Sequence, residues 1–169
     1  MPLQTQLIHS SSEPFFNILG PLTQFLVEPA NASGAFGVLR SIVPPGVVIP
    51  LHSHADPEVL VIHEGALEFL QYDGNSSRWL TAQPSQIICI PGGVKHALRN
   101  SSPKPTTVLL ITTPNIYGFF RQLGEPVEHG QSPAPPTAED LQRLAALSAQ
   151  HNYWLASREE NAAIGLTGF

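Results

Sequence analysis

The chain is poor in charge. Only 12% of its 169 residues are Asp, Glu, Lys or Arg, and the net charge is −5. So little charge, beside 42% apolar residues, excludes a disordered chain. The scattered Lys and Arg form no basic patch for a phosphate backbone, so no nucleic-acid partner is expected. Cysteine is almost absent. Cys89 stands alone, which rules out an intrachain disulfide and gives no sign of a secreted disulfide scaffold. No apolar run approaches the roughly 20 residues needed to span a bilayer, and the N-terminus lacks a basic start followed by a long apolar segment. The expected compartment is the cytosol, with no membrane partner.

Proline and glycine are plentiful instead, at 17 and 13 residues. They punctuate the chain into short apolar stretches. "FLVEPANASG" (25–34) reads as a strand ending in a turn. "AFGVLRSIV" (35–43) runs into "PPG", "EVLVIH" (58–63) into "EG", and "ALEFLQY" (66–72) into "DGNSS", a hairpin cue. "RWLTA", "QIICIP", "KHALRN" and "TTVLLITT" follow with similar breaks. Many short strands rich in β-branched and aromatic residues predict an all-β sandwich or barrel. The expected organisation is an N-terminal arm with strands over 1–34, a β-barrel over 35–124, a Pro-rich linker over 125–136 and a helical tail over 137–169 packed on the barrel. A short helix at 116–124 would close on Gly124. The tail helix would be capped by Thr137 with Asp140, and "SREE" (157–160) would open another. Leu141, Leu144, Ala145 and Ser148 would form the packing face.

The chemistry concentrates in "LHSHADPEVLVIHEG" (51–65). On a strand, residues i and i+2 share a face, so His52 and His54 aim two imidazoles at one point. If the next strand returns antiparallel beside them, Glu58 reaches the same point. Two imidazoles and a carboxylate buried together are costly without a cation between them. Downstream, "ICIPGGVKHALRN" (88–100) places His96, Leu98 and Asn100 on one face. Lys95, Ala97 and Arg99 lie on the other, polar enough to meet solvent. His96 therefore faces inward as a further ligand, and the candidate metal site is His52, His54, Glu58 and His96. Val48, Leu60, Ile62 and Leu98 would supply apolar walls. His63 has the outward parity, and His9, His129 and His151 fall in the arm, linker and tail. Cys89, between Ile88 and Ile90, reads as a small core residue. Tyr117, Phe119 and Phe120 read as packing more than as a pocket mouth, and Asn100 as fixing a turn. The faces of Arg40 and Gln71 stay unassigned.

These spacings resemble a known family. Gly46, five residues, His52-x-His54, three residues, Glu58, six residues, Gly65 is similar to the first motif of the cupin superfamily. Pro91-x-Gly93-x-x-His96-x-x-x-Asn100 is similar to its second. The family usually has Gly six positions before that proline, where this chain has Ser85. The resemblance implies a double-stranded β-barrel of jelly-roll type, a homodimer, and a metal inside the barrel near one end. "TPNIYGFFRQLG" (113–124), with its "FF-x-x-LG", is similar to the segment after the barrel in quercetinase-like cupins.

Four protein ligands suit a six-coordinate ion with two open positions, whereas catalytic zinc more often takes three. Fe, Mn, Co or Ni is therefore favoured as the divalent cofactor, with Zn or Cu as alternatives. Three neutral imidazoles and one carboxylate leave such an ion at a net charge of about +1, which attracts an enolate, phenolate or carboxylate substrate. The kinship implies a dioxygenase-type reaction on a small organic molecule, with Glu58 as catalytic base. A non-redox isomerase or lyase and a non-enzymatic binding or sensing module are the alternatives.

Overall fold

A computed structural model describes residues 4–9, 13–72, 76–128 and 135–167. Twelve strands, three α-helices and a short 3₁₀ helix (Pro29–Ala32) are formed among them. The strands are β1 (Phe15–Asn17), β2 (Leu22–Val27), β3 (Gly37–Val43), β4 (Val48–Ser53), β5 (Glu58–Glu64), β6 (Leu67–Tyr72), β7 (Ser77–Ala82), β8 (Ile87–Ile90), β9 (His96–Arg99), β10 (Thr106–Thr112), β11 (Glu125–Val127) and β12 (Trp154–Leu155). The helices are α1 (Pro114–Leu123), α2 (Ala138–Gln150) and α3 (Arg158–Ala163). One sheet runs β11-β1-β2-β3-β10-β5-β8 and the other β12-β4-β9-β6-β7. The strand pairs are antiparallel, and the two layers enclose the main core. This is the all-β architecture that the strand pattern predicts, in the jelly-roll form that the family resemblance implies.

The period-2 alternation is cleanest in β3 and β5. Leu39 and Val43 point into the core from β3, as do Leu60 and Ile62 from β5. Glu58 shares the inward parity of Leu60 and Ile62 and is buried with them, while His63 is exposed. Ser85 fills the position where the family usually has glycine, and its φ of 71° is the left-handed conformation glycine adopts freely. The turn before β8 therefore survives the substitution, its amide bonded to the Ile62 carbonyl at 2.9 Å.

Several expectations need correction. Cys89 is not in the core: Ile88 and Ile90 take the inward positions of β8, so Cys89, one step out of phase, is exposed. Gly124 ends α1 without turning left-handed, at φ −71°. A Cβ there would instead meet Ile18 at 2.8 Å and the Phe120 carbonyl at 3.0 Å, so close packing asks for glycine. The linker begins later than 125, because Glu125–Val127 pair with β1. Residues 129–134, including His129, lie outside the described residues, as do Asp73–Asn75 of the hairpin cue; β6 and β7 pair on either side of those three.

Both predicted capping boxes form, Thr137 with Asp140 and Ser157 with Glu160. The packing face of α2 is rotated from the expected stripe. Leu144, Leu147 and Ser148 turn inward, while Leu141 and Ala145 are exposed. The tail also does more than pack as helices. Its β12 joins the second sheet beside β4, and Leu166 completes a second apolar cluster with Leu51, Leu70 and Ala97 on the outer face of that sheet. Ala97 is thus fully buried instead of meeting solvent. Lys95 lies over the Trp154 ring and Arg99 over the Trp79 ring. Arg40 bonds Gln24 at 3.1 Å, and Gln71 accepts from Arg78 at 2.9 Å on the surface.

Candidate metal centre

The four sequence-predicted residues come together inside the barrel. One ligand atom each from His52, His54 and His96 lie within 4.8 Å of one another. Glu58 Oε1 stands 3.2 Å from His96 Nε2 and 3.7 Å from His54 Nε2. The route differs from expectation in one respect. β5 does not lie beside β4; it belongs to the facing sheet, so Glu58 reaches across the barrel. His52 and His96 are the neighbours, paired in register between β4 and β9.

The parity along β4 is broken by a bulge. Ile49 faces Leu98 and His52 faces His96, three steps on one strand against two on the other. Ile49 and His52 both turn inward as a result. Val48 is therefore not a wall of the site, because counting back from His52 by twos crosses the extra residue; it packs on the outer cluster. Leu60, Ile62 and Leu98 are in the core as expected.

The second motif is locked onto the first. Gly93 N–H donates to the His54 carbonyl at 2.6 Å. A Cβ on Gly92 would lie 2.0 Å from the Ala55 carbonyl oxygen, so only glycine allows this approach. Asn100 fixes the end of β9, donating to the Val43 and Lys104 carbonyls at 2.8 Å and accepting from Ser102.

Each imidazole is held by the same device. Nδ1 of His52 lies 2.7 Å from the Pro50 carbonyl, that of His54 2.7 Å from Asp56, and that of His96 2.8 Å from Val94. A carbonyl only accepts, so Nδ1 carries the proton and Nε2 is left with its lone pair toward the cavity. His96 Nε2 is buried and makes no hydrogen bond. Lone pairs converging on a buried carboxylate repel it unless a proton or a cation lies between them. Oriented, neutral imidazoles of this kind fit a divalent metal.

The electrostatics carry the same tension. Burial acts most strongly on Glu58 and pushes its carboxyl up, but the adjacent His54 and His96 rings outweigh it and hold it at about 2. Burial, helped by His96, pulls His52 down to about 3. His54 also suffers burial, its largest influence, yet contact with Glu58 and the Asp56 carbonyl raises it on balance.

Sequence reasoning missed the tail's part in this site. The Tyr153 ring sits 5.1 Å from His54 and 4.8 Å from Phe119. Asn152, left-handed at φ 57°, turns the chain after α2, and Tyr153 N–H bonds the Ser148 carbonyl at 2.7 Å in a Schellman-type cap. Asp56 accepts from Thr113 at 2.7 Å and Asn115 at 2.6 Å, and Asn115 accepts from His151 at 2.9 Å. His151 is thus locally bonded, and it meets Phe119 edge to face. Tyr117 and Phe119 are core residues. Nothing in the spacing of Asp56 and Tyr153 announces that they meet around one loop.

Residues 39–112 match the family described as Cupin domain, and the architecture is that of a cupin barrel. Among solved structures, the chain is similar to oxalate decarboxylase of Bacillus subtilis, at 15% identity over 67% of this chain and 30% of that one, with a TM-score of 0.54. It thus spans under a third of that enzyme's length. It is also similar to a predicted oxalate decarboxylase of Thermotoga maritima, at 18% identity over 64% of this chain and 98% of that one, with a TM-score of 0.55. At these identities the likeness is one of fold. No curated protein matches the chain.

Proposed function

We propose that the chain is a metal-dependent cupin enzyme. In this reading His52, His54, His96 and Glu58 hold one divalent ion, and a small organic substrate binds through an enolate, phenolate or carboxylate oxygen. The observation that carries it is the set of three Nδ1–H bonds to backbone carbonyls, which leaves three Nε2 lone pairs for a cation, those of His54 and His96 within 3.7 Å of Glu58 Oε1. When bound, the ion supplies Lewis acidity toward the anionic oxygen and, if redox-active, one-electron chemistry toward dioxygen. Fe, Mn, Co or Ni suits the donor set better than Zn or Cu. A solved structure of the Bacillus subtilis oxalate decarboxylase is described as having Mn(II) centres.

The chain's own residues do the rest. Leu60, Ile62 and Leu98 exclude water and receive an apolar substrate body. Glu58 is the only buried carboxylate among the described residues, and it is the base that takes the substrate's proton. That role requires its release from the influence of His54 and His96, which lowers its carboxyl to about 2. Tyr153 closes the wall beside His54. The reaction assigned is of dioxygenase type.

The test is oxygen uptake by protein loaded separately with Fe, Mn, Co or Ni and given flavonols and simpler enols. Uptake that depends on both metal and substrate supports the reading. Turnover of such substrates without oxygen, and with Zn, would replace it by a non-redox lyase or isomerase. No turnover with any metal would leave a binding module.

A further inference from the structure

The β4 bulge that aims His52 has no β9 residue in register with Pro50 or Leu51. Its outward residue is Leu51, 6% exposed, and both of its backbone polar groups are taken by the C-terminal tail. The Leu51 carbonyl accepts from Ala156 N–H at 3.0 Å. Its N–H donates to Asn161 Oδ1, also at 3.0 Å, from a residue 110 positions away on α3. Asn161 is itself 4% exposed and fully engaged. Its Nδ2 donates to the Ser157 carbonyl at 3.0 Å and the Ala156 carbonyl at 3.3 Å. A buried side-chain amide satisfied at both ends orients its neighbour in one way.

We infer that Asn161 is a positioning residue for the metal centre, acting through Leu51 on His52. The inference rests on the metal reading above. A strand with an extra residue can relax by slipping one position, and a one-residue slip exchanges its faces. Here that would turn Leu51 toward the cavity and His52 away from it. The Asn161 bond to Leu51 N–H opposes the slip on the residue before His52. The Nδ1–H bond of His52 to the Pro50 carbonyl, at 2.7 Å, depends on the same local backbone. The tail thus holds the register of a ligand from the outside of the barrel, where its β12 also pairs Leu155 with His52.

The probe is cobalt(II) alone, read by its visible absorption and by its affinity in competition with a chelator. Wild-type protein is compared with Asn161→Ala and with Leu166→Ala. The second variant loosens the same tail cluster but leaves Leu51 N–H its acceptor. Asn161→Ala is expected to weaken cobalt binding about 10- to 100-fold, the usual effect of losing a group that orients a ligand, and to change the spectrum. Leu166→Ala is expected to keep the wild-type spectrum and affinity even where its melting temperature falls. If Asn161→Ala does not fold, Asn161→Asp, which keeps an oxygen for Leu51 N–H but loses the donations to Ser157 and Ala156, should be less stable than wild type yet keep the wild-type spectrum in its folded form. Wild-type spectrum and affinity in Asn161→Ala, equal damage from Leu166→Ala, or an altered spectrum in folded Asn161→Asp would overturn the inference. A wild-type protein that binds no cobalt would overturn the metal reading itself.

Discussion

Glu58 Oε1 and His96 Nε2 lie 3.2 Å apart although the two residues stand on opposite sheets of the barrel. The contact is the point where the two layers share chemistry. It is also unfavourable as it stands, because the Nδ1–H bond to Val94 leaves His96 Nε2 with a lone pair toward a carboxylate. A cation removes that repulsion and uses both groups.

Metal content should therefore follow the cavity histidines and no others. His96→Ala is expected to lower bound metal from one ion per chain to well below half after dialysis, measured by elemental analysis. His63→Ala, changed at an exposed position of β5, should match wild type. Equal retention by both variants would place the metal elsewhere.

Glu58→Gln keeps the shape of the side chain and removes its charge and basicity. Oxygen uptake in saturating metal should fall about 100-fold or more, the usual scale for loss of a positioned base. Activity within a few fold of wild type would take the proton-accepting role from Glu58.

The metal-free protein should lose stability on acidification. His52 is held at about 3 when folded and returns to its ordinary 6.5 when unfolded. Between those values the unfolded chain binds the extra proton, so stability falls as pH drops below 6.5. Glu58, held at about 2 against 4.5, acts in the same direction below pH 4.5. His54 is raised, so its contribution is complete below 6.5 and is lost only as pH rises above that. Urea midpoints of chelated protein should decrease from pH 6.5 to 4.5. A flat or rising midpoint would contradict the burial of a neutral His52.

Gly92→Ala should be far more damaging than an ordinary surface change. Its Cβ would lie 2.0 Å from the Ala55 carbonyl, between the loop carrying His54 and the turn leading to His96. A loss of about 1–3 kcal/mol is expected from urea denaturation, with weakened metal retention. A wild-type midpoint would show that the two motifs do not need this contact.

Most of the barrel was legible because its signal is local. The parity of Glu58, Leu60 and Ile62 needs only one strand. The grouping of His52, His54, Glu58 and His96 was anticipated from spacing, but by another route, since β5 faces β4 across the barrel instead of lying beside it. What escaped was non-local. Val48 was misplaced because a bulge carries no mark in single-strand parity. Ala97 was given to solvent because the chain that covers it lies about 70 residues further on, at Leu166. Cys89 was misjudged because "QIICIP" is apolar on both faces of β8, and a continuous apolar run hides which parity points inward. Tyr153 reaches the site only through the turn at Asn152, and Asn161 reaches Leu51 only through the cap at Ser157.

X-ray absorption at the edge of the bound metal, on protein loaded with a single equivalent, tests the central claim most directly. The account predicts scattering from about three imidazole rings at about 2.0–2.2 Å, plus oxygen, with imidazole scattering reduced in His96→Ala. A spectrum of oxygen ligands alone, unchanged by that substitution, would contradict it.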